Sequence, residues 1–273
     1  MVRPSKEASG IQTFENLHTS YWQQNIRTDA TGLISNPHKP YIAASLSKLY
    51  IGAATLSLVE DDRLDLDERV NITPQEYLEG NYGTGRLRWT LKPRLWLARA
   101  RHSPVVASCT VGNLLEYSIS HSDNLATLKI VNFVGRARIQ TILEKWGLYG
   151  TTIFDAQNNQ ENKTTANDMG NFLYYFAERF LLGDALTERT AGWMREKQMV
   201  NSEGKPVNLL YKEGRIHQQG YSYSHIAGYM HGIKDAHHFV VLTKDQALGE
   251  KEATYPQQTR LQEILNQMVA EVA

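Results

Sequence analysis

The chain has 273 residues and a mass of 31.0 kDa, enough for one large domain or two closely packed subdomains. Hydrophobic residues make up 41% of it and charged residues 21%, a composition that excludes an intrinsically disordered protein. The 29 basic side chains balance the 29 acidic ones, so net charge gives no reason to expect a nucleic-acid partner, and the single Cys109 excludes an intramolecular disulfide.

The sequence contains no apolar run as long as a membrane span. Its first ten residues, MVRPSKEASG, lack the apolar core of a signal peptide. Two compartments therefore stay open at this point. One is the cytosol, and the other is an extracytoplasmic space reached by a mature chain whose signal has been removed.

The N-terminal part of the chain predicts a short strand followed by a long helix. SGIQTFENLH has apolar residues at helical spacing, and ATGLI, residues 30–34, predicts a glycine turn before a short strand. From Leu46 to Val59 the apolar positions repeat with a helical period. DDRLDLDERVNIT ends this helix and predicts a short extended segment.

The middle of the chain is predicted to be helical. TVGNLLEYSISHSDNLATLKIVNFVG indicates two helices separated by a break at SHSDN. Further on, TTANDMGNFLYYFAERFLLG predicts a long amphipathic helix that begins after Thr164 or Thr165 and ends at Gly183.

The sequence pattern changes from mainly helical to mainly strand-like after residue 205. GRIHQQGY, HIAGYMHGI and HHFVVLTKD predict successive antiparallel strands, and TRLQEILNQMVAEV predicts a final amphipathic helix. We therefore predict a discontinuous sheet subdomain of residues 1–44 and 206–273, with a helical subdomain of residues 45–205 inserted into it. The cleft between the two is the expected ligand site.

The stretch AASLSKLYIGAATLSL places Ser45 one helical turn before Lys48. Residues three apart share a face of a helix, so the two side chains can meet. A lysine whose pKa is lowered by burial or by another cation can take the proton from a serine and make it a nucleophile. An N-capping serine followed by a solvated lysine explains the same spacing, and the pair alone leaves both interpretations open.

A second motif, Ser122-Asp123-Asn124, occurs at the break between two predicted helices. The order S-x-x-K, then S-D-N, then a strand with a glycine is the motif order of class A β-lactamases and penicillin-binding proteins. The chain resembles the class A β-lactamase-like branch of this superfamily over nearly its whole length. The resemblance includes AASLSKL, the GTG of residues 83–85, LLEYSISHSDNLATLKI, NKTTANDMGNFL, HIAGYM and FVVLTKD.

The resemblance implies an α/β (α+β) fold of the β-lactamase/transpeptidase type. In this fold an antiparallel sheet is flanked by helices, a helical subdomain is inserted, and the active site lies in the cleft. It further implies that Ser45 is the acylated nucleophile, and that Lys48 is its base or proton relay. Ser122 would pass a proton to the leaving nitrogen, and Asn124 would hold Lys48 and a substrate carbonyl.

No cofactor is implied. None of the nine histidines has a metal-ligand spacing such as H-E-x-x-H, so no metal site is predicted.

The third motif of the family, Lys-Thr-Gly, is matched here to HQQG, with Gln218 and Gln219 before Gly220. The second oxyanion-hole N–H would then come from the strand just after Gly220, at Ser222. Glutamine is neutral, so a charge-assisted hydrogen bond is lost and the pKa of Lys48 should stay higher. We therefore expect weak or unusual acylation.

A further departure concerns the loop TTIFDAQNNQENK. Class A β-lactamases carry in this loop a glutamate that activates the deacylating water, and no residue aligns cleanly with it. Glu161 and Asp155 are nearest, and solvated loop carboxylates are the simpler interpretation of both. Without that base an acyl-enzyme should persist, as it does in penicillin-binding proteins.

A basic segment, residues 86–101, lies in a stretch without carboxylates between Glu79 and Glu116. One interpretation is a solvated basic face with its apolar residues in the core. The other is a rim that attracts an anion, namely a substrate carboxylate, a cell-wall polymer or anionic lipid. Nucleic acid is not predicted, because no nucleic-acid module is visible. The cations of the segment are Arg86, Arg88, Lys92, Arg94, Arg99 and Arg101.

The leading hypothesis is a serine hydrolase that acylates Ser45 with a β-lactam or a related amide. Its partner is a small molecule, either a β-lactam or a peptidoglycan-like peptide, and the resemblance implies an extracytoplasmic location. One alternative is a penicillin-binding-protein-like DD-peptidase or an esterase with slow deacylation. The alternative from another class is a catalytically silent cell-envelope binding protein that uses the basic segment. Oligomeric state is not predicted.

Overall fold

A computed structural model describes residues 19–79, 86–154, 161–218, 220–246 and 255–272. These residues alternate between strands and helices, with the longest strands near the end of the chain. The strands are β1 (Thr19–Asn25), β2 (Thr31–Ser35), β3 (Tyr41–Ile42), β4 (Arg69–Ile72), β5 (Ala107–Thr110), β6 (Lys163–Thr164), β7 (Arg195–Val200), β8 (Pro206–Gln218), β9 (Tyr221–His231) and β10 (Ala236–Gln246). The helices are α1 (Ser47–Glu60), α2 (Pro74–Glu79), α3 (Arg86–Ala100), α4 (Val111–Ser120), α5 (Asn124–Val134), α6 (Arg136–Lys145), α7 (Ala166–Ala177), α8 (Asp184–Ala191) and α9 (Tyr255–Ala270).

The main sheet has six strands in the order β2-β1-β10-β9-β8-β7, and every neighbouring pair is antiparallel. Strands β1 and β10 are far apart in sequence but adjacent in space, with Thr19 opposite Thr243. Nine of the eleven residues of β9 are buried, because the strand lies inside the sheet and both of its faces are covered. The predicted fold class and the antiparallel strands after residue 205 are confirmed.

Helices cover both faces of the sheet. Helix α9 packs against β9 and β10, and their side chains form one hydrophobic core. Helix α7 packs against β1 and β10 and belongs to the larger hydrophobic core. The helices other than α9 also contribute side chains to this larger core. Among the described helices, none combines the length and the apolar content needed to cross a bilayer.

Helix α1 passes through the larger core. Eleven of its fourteen residues are buried, so the helix lacks the solvated face that its apolar repeat suggests. A buried helix can carry a polar side chain only where that side chain finds hydrogen-bond partners. Lys48, in its first turn, is such a case.

Two boundaries differ from the sequence-based expectation. The long helix predicted to end at Gly183 ends at Ala177, because Arg179 adopts a left-handed conformation (φ 61°) and turns the chain. Gly183 instead precedes α8. The C-terminal part of the sheet also begins before residue 206, because β7 begins at Arg195 and pairs with β8.

A buried histidine connects the sheet to the segment that leads into α1. The Nε2 atom of His225 lies 2.7 Å from the carbonyl oxygen of Ile42, and its Nδ1 accepts a hydrogen bond from the Thr243 N–H at 3.2 Å. These contacts fit a neutral ring with the proton on Nε2. Burial lowers the pKa of His225 to about 4. Burial and the neighbouring His237 lower the pKa of His238 to about 4 as well.

The free energy of unfolding should fall as the pH drops from 6.5 towards 4. The folded-state pKa values of His225 and His238 lie below the ordinary histidine value, so the unfolded chain binds protons first. The stability that each neutral ring contributes, up to about 3 kcal/mol, is therefore present above pH 6.5 and is lost below it. Urea unfolding at a series of pH values measures this loss.

A His238→Phe variant should show a shallower pH dependence, because neither ring nitrogen of His238 has a hydrogen-bond partner among the described residues. His102→Asn is the matched control, since His102 is exposed and asparagine tolerates its left-handed backbone. An identical slope in His238→Phe and wild type would contradict the assignment.

Candidate active site

Ser45 lies in a 3₁₀ turn, Ala44–Leu46, directly before α1. Ala44 has a positive φ of 47°, a strained conformation for alanine that sets the direction in which Ser45 enters the turn. A strand approaches this turn very closely. A Cβ atom on Gly214 of β8 would lie 3.1 Å from the backbone nitrogens of both Ser45 and Leu46. Only glycine lets β8 pack this closely against the turn.

Lys48 is held beneath Ser45 by hydrogen bonds from its Nζ atom. Nζ donates to Ser45 Oγ at 3.3 Å and to Asn124 Oδ1 at 2.6 Å. It also donates to the carbonyl oxygen of Ser122 at 2.6 Å and lies 3.4 Å from Ser122 Oγ. The residue is only 3% exposed. The interpretation of Lys48 as a solvated lysine is therefore wrong.

The Ser122-Asp123-Asn124 loop connects α4 to α5 and faces Lys48. Ser122 has a positive φ of 54°, so a strained backbone directs its carbonyl and hydroxyl oxygens towards the lysine. Asp123 is fully buried, and one carboxylate oxygen accepts from the Ala126 N–H at 3.0 Å and caps α5. The other accepts from the Leu87 N–H at 2.8 Å and fixes the start of α3.

A second lysine, Lys212 on β8, completes the cluster. Its Nζ donates to Ser122 Oγ at 2.9 Å and to the carbonyl oxygen of Glu213 at 3.0 Å, and the residue is 3% exposed. The four polar groups thus form a continuous chain in the order Ser45 Oγ, Lys48 Nζ, Ser122 Oγ and Lys212 Nζ. The expectation that this site lacks a second cation is corrected by the structure.

The residues expected to form the third motif lie elsewhere on the sheet. Gln218, at the end of β8, donates from Nε2 to Glu161 Oε1. Gly220 has a φ of 75° and belongs to the turn between β8 and β9. Ser222 is on β9, one strand farther from Ser45, and its Oγ is hydrogen-bonded to His217 Nδ1. Gln219 lies outside the described residues.

Sequence reasoning missed Lys212 because its segment, Lys212-Glu213-Gly214, matches Lys-Thr-Gly at only two of three places. A signal was nevertheless present. In YKEGRI a lysine stands two residues before a glycine, and alternation along a strand puts both on one face. Residues 83–85 and Asp155, which the resemblance also singled out, lie outside the described residues.

The pKa values of the two lysines are lowered together. Burial first, and then the positive charge of Lys212, lower the pKa of Lys48 to about 7, while Asp123 raises it. Burial, followed by the charge of Arg195, lowers the pKa of Lys212 to about 8, while Glu213 raises it. Near neutral pH a substantial fraction of Lys48 is therefore an uncharged amine within reach of Ser45, which is the state a general base requires.

The middle residue of the third-motif segment carries a negative charge. Glu213 accepts a hydrogen bond from Arg195 Nη1 at 3.0 Å, and Arg215 Nη2 lies 3.7 Å from its other carboxylate oxygen. Strand β7 stops pairing at Arg195 opposite Tyr211, so β8 from Lys212 onward has one free edge. The Gly214 face of β8 packs against the turn that contains Ser45. No group of three or more metal-ligating side chains occurs among the described residues.

Comparisons with known proteins agree with this arrangement. Residues 6–270 match the profile of the family described as the beta-lactamase enzyme family. A curated relative, the extended-spectrum beta-lactamase PER-1 of Pseudomonas aeruginosa, is 24% identical over 177 residues. That match covers 62% of this chain and 53% of PER-1, so it spans about half the length of the relative.

Solved structures share the fold. PBP-A superposes with a TM-score of 0.73 at 18% identity, covering 94% of this chain and 91% of PBP-A. A point mutant of PBP-A, solved as an acyl-enzyme complex with penicillin G, gives 0.72 at 19% identity, covering 92% and 88%. A beta-lactamase from Chitinophaga pinensis gives 0.69 at 18% identity, covering 91% and 93%. At these identities the likeness establishes the fold alone.

Labelling of Ser45 by a neutral serine-reactive probe such as a fluorophosphonate should increase about tenfold from pH 6 to pH 8, with a midpoint near 7. The reason is that Lys48 must lose its proton before it can accept one. In Lys212→Gln the midpoint should move to higher pH, because a positive charge that lowers the pKa of Lys48 is removed. Labelling rates over this pH range measure both effects.

Lys197→Gln is the matched control, since Lys197 is an exposed cation on the neighbouring strand β7. It should leave the midpoint in place. A flat pH profile in the wild type, or the same midpoint in Lys212→Gln, would contradict the role given to the two lysines.

Proposed function

Because the chain belongs to the beta-lactamase enzyme family, we propose that it is a serine hydrolase that forms an acyl-enzyme at Ser45 with a β-lactam or a related amide. One observation carries the proposal, namely the chain of hydrogen bonds from Ser45 through Lys48 and Ser122 to Lys212. The acyl-enzyme of the PBP-A mutant with penicillin G, formed on the same fold, supports this choice of reaction.

In the proposed reaction, neutral Lys48 takes the proton from Ser45 Oγ as that oxygen attacks the carbonyl carbon. The backbone N–H of Ser45 and that of Arg215, the residue after Gly214 on the free edge of β8, stabilise the oxyanion. Ser122 Oγ gives its proton to the leaving nitrogen, and Lys212 and Lys48, both within reach of Ser122, restore it. The proton thus passes from one serine to the other through a buried amine.

Asn124 has a positioning role in this proposal. Its Oδ1 accepts a hydrogen bond from Lys48 Nζ, which fixes the orientation of the amide, and we propose that this amide donates to a substrate carbonyl. The cleft offers substrate the hydroxyls of Ser45 and Ser122, which are partly exposed, while both lysines are buried. A substrate carbonyl therefore reaches the hydroxyls first, with the amines behind them.

Deacylation is proposed to be slow. Glu161 is the described carboxylate nearest in sequence to the expected position of the water-activating glutamate, and its side chain accepts a hydrogen bond from Gln218. Its backbone carbonyl accepts from Thr152, which fixes this end of the loop. This contact orients the Glu161 carboxylate towards Gln218, and the observation favours a penicillin-binding-protein-like DD-peptidase or esterase as the second candidate function.

Glu213 is proposed to restrict the substrate. The family that the chain resembles has threonine in the middle of the third motif, next to the lysine that lies near a substrate carboxylate. Here that position carries a carboxylate of its own, partly neutralised by Arg195 and Arg215. Like charges repel, so substrates that are neutral near Glu213 should react better than substrates that carry an anion there.

The family relationship also supports an extracytoplasmic location as part of the proposal.

Intact-protein mass spectrometry after mixing with a penicillin should show an adduct that persists for minutes. The reason is that Lys48 is placed to activate Ser45, whereas Glu161, the described carboxylate nearest in sequence to the expected glutamate, is hydrogen-bonded to Gln218. Ser45→Ala should abolish the adduct, and Ser47→Ala is a matched control, since its hydroxyl donates to the Ala44 carbonyl rather than to the lysine cluster.

Three outcomes separate the candidate functions. An adduct that vanishes within seconds would indicate a working β-lactamase in which another group replaces the glutamate. An adduct on Ser45→Ala would refute the nucleophile. Absence of adducts from penicillins, esters and the fluorophosphonate together would support the silent binding protein.

Glu213→Thr should raise the rate of acylation by a carboxylate-bearing penicillin about tenfold, because a repulsive charge near the substrate anion is removed. The methyl ester of the same penicillin lacks that anion, so its rate should change by less than about twofold. Stopped-flow acylation rates for both compounds test this difference. Glu196→Thr, on the exposed part of β7, is the control. Equal effects of Glu213→Thr on the acid and the ester would contradict the charge argument.

A further inference from the structure

Helix α3 is anchored to the protein along one side. Leu87, Leu91 and Ala98 are buried in the larger core, and Leu95 packs against it. Their spacing of four, four and three residues places them on one face. This face accounts for Leu87, Leu91 and Leu95 in the way that one of the two sequence-based interpretations expects, whereas Leu97 is exposed.

The opposite side of α3 is apolar and exposed. Trp89 is 64% exposed and Trp96 is 73% exposed, and their spacing of seven positions corresponds to about two helical turns, so both lie on the same side. Pro93 and Leu97 are also exposed on this side. Two exposed tryptophans on one side of a helix form a contiguous apolar patch, and such a patch indicates an interaction surface more strongly than a single exposed side chain does. The core is already filled by the inner face, so these tryptophans are not needed for folding.

Positive charges border the exposed apolar stripe. Helical geometry places Lys92 and Arg99 along one flank and Arg94 and Arg101 along the other, each pair seven residues apart. All four are exposed, as is Arg86 at the start of the helix. Lys92 Nζ lies 5.5 Å from the centre of the Trp89 ring. The sequence has no carboxylate between Glu79 and Glu116 to offset these charges.

We propose that the outer face of α3 docks on the surface of an anionic lipid bilayer. Tryptophan rings prefer the boundary between headgroups and hydrocarbon, and cations on both flanks of an apolar stripe are positioned to meet anionic headgroups. A water-soluble anionic polymer would be attracted by the cations alone and gives no reason for two exposed tryptophans. An exposed apolar stripe with cations on both flanks therefore favours a lipid bilayer over a soluble polymer as the partner.

Docking by α3 brings the active site to the membrane surface. The helix starts where the Leu87 N–H donates to Asp123, inside the second motif, and Arg86 Nη1 lies 3.4 Å from His121 Nε2. The cleft is therefore held at one end of the docking helix. The bilayer interaction does not depend on the proposed hydrolase function, because none of the docking side chains belongs to the cluster around Ser45.

Co-sedimentation of the full chain with vesicles tests the proposal. We expect binding to vesicles of phosphatidylglycerol and phosphatidylcholine at physiological salt, together with a blue shift of tryptophan fluorescence, and little binding to phosphatidylcholine alone. Trp89→Ser with Trp96→Ser should weaken binding more than tenfold. Lys92→Gln with Arg99→Gln should weaken it about fivefold for each cation. Circular dichroism verifies that each variant is folded.

Matched controls change equally exposed residues elsewhere. Tyr149→Ser with Phe180→Ser removes two exposed aromatic rings, and Arg138→Gln with Lys197→Gln removes two exposed cations. Both should bind like the wild type. Failure of the wild type to bind anionic vesicles would overturn the proposal. It would also be overturned if the Trp89/Trp96 variant bound vesicles and a soluble polyphosphate as well as the wild type does, since that result identifies an anionic polymer as the partner.

Discussion

The burial of two lysines in one cleft is the constraint on which the rest of the site depends. Lys48 and Lys212 are both almost fully buried, and both reach the same hydroxyl, that of Ser122. Two ammonium groups at this separation repel and are poorly solvated, so the arrangement stabilises the state in which one of them is neutral. Hydrogen-bond acceptors from the second-motif loop and from Glu213 satisfy their remaining protons. In the proposed mechanism, this electrostatic repulsion is the cause of the activation of Ser45.

Three separate chain segments have to meet for this to happen, and the backbone is adapted at each of them. The turn with Ser45 requires a left-handed alanine, the second-motif loop requires a left-handed Ser122, and β8 requires Gly214 where it passes the turn. The first two are unfavourable local conformations, and the third is an unusually close backbone contact. Buried Asp123 fixes the loop between two helices, and buried His225 fixes the segment that precedes the turn. The strained backbone segments thus lie where neighbouring hydrogen bonds stabilise them.

The sequence predicted those parts of the molecule that depend on local pattern. Ser45 with Lys48 and Ser122 with Asn124 are close in sequence, and the structure brings these predicted pairs together. Lys212 was missed because its partner Ser122 is 90 residues away and because Glu213 interrupts the expected motif. Gln218 was chosen instead since HQQG also ends in glycine, but that glycine serves a hairpin turn. The sequence alone does not show which residue of β8 contacts the turn that contains Ser45.

The outer face of α3 shows a similar limit. The basic segment was recognised from its composition, with a solvated face and an anion-binding rim left as alternatives. Only the burial of Leu87 and Leu91 shows which side of the helix is turned away, and therefore that both tryptophans are left outside. Periodicity indicates that a helix has two faces, whereas tertiary packing decides which one is covered.

The pairing of β1 with β10 has a consequence for how the chain folds. These central strands are separated by more than 200 residues, with Thr19 opposite Thr243, so the sheet closes around everything synthesised between them. Contacts of such long sequence separation form late and slowly. During synthesis the turn with Ser45 and the loop with Ser122 emerge before β8, the strand that carries Lys212. Nascent chains therefore contain both serines before they contain the sheet, and the hydrogen-bonded cluster around Ser45 is complete only when the strand with Lys212 has joined the sheet.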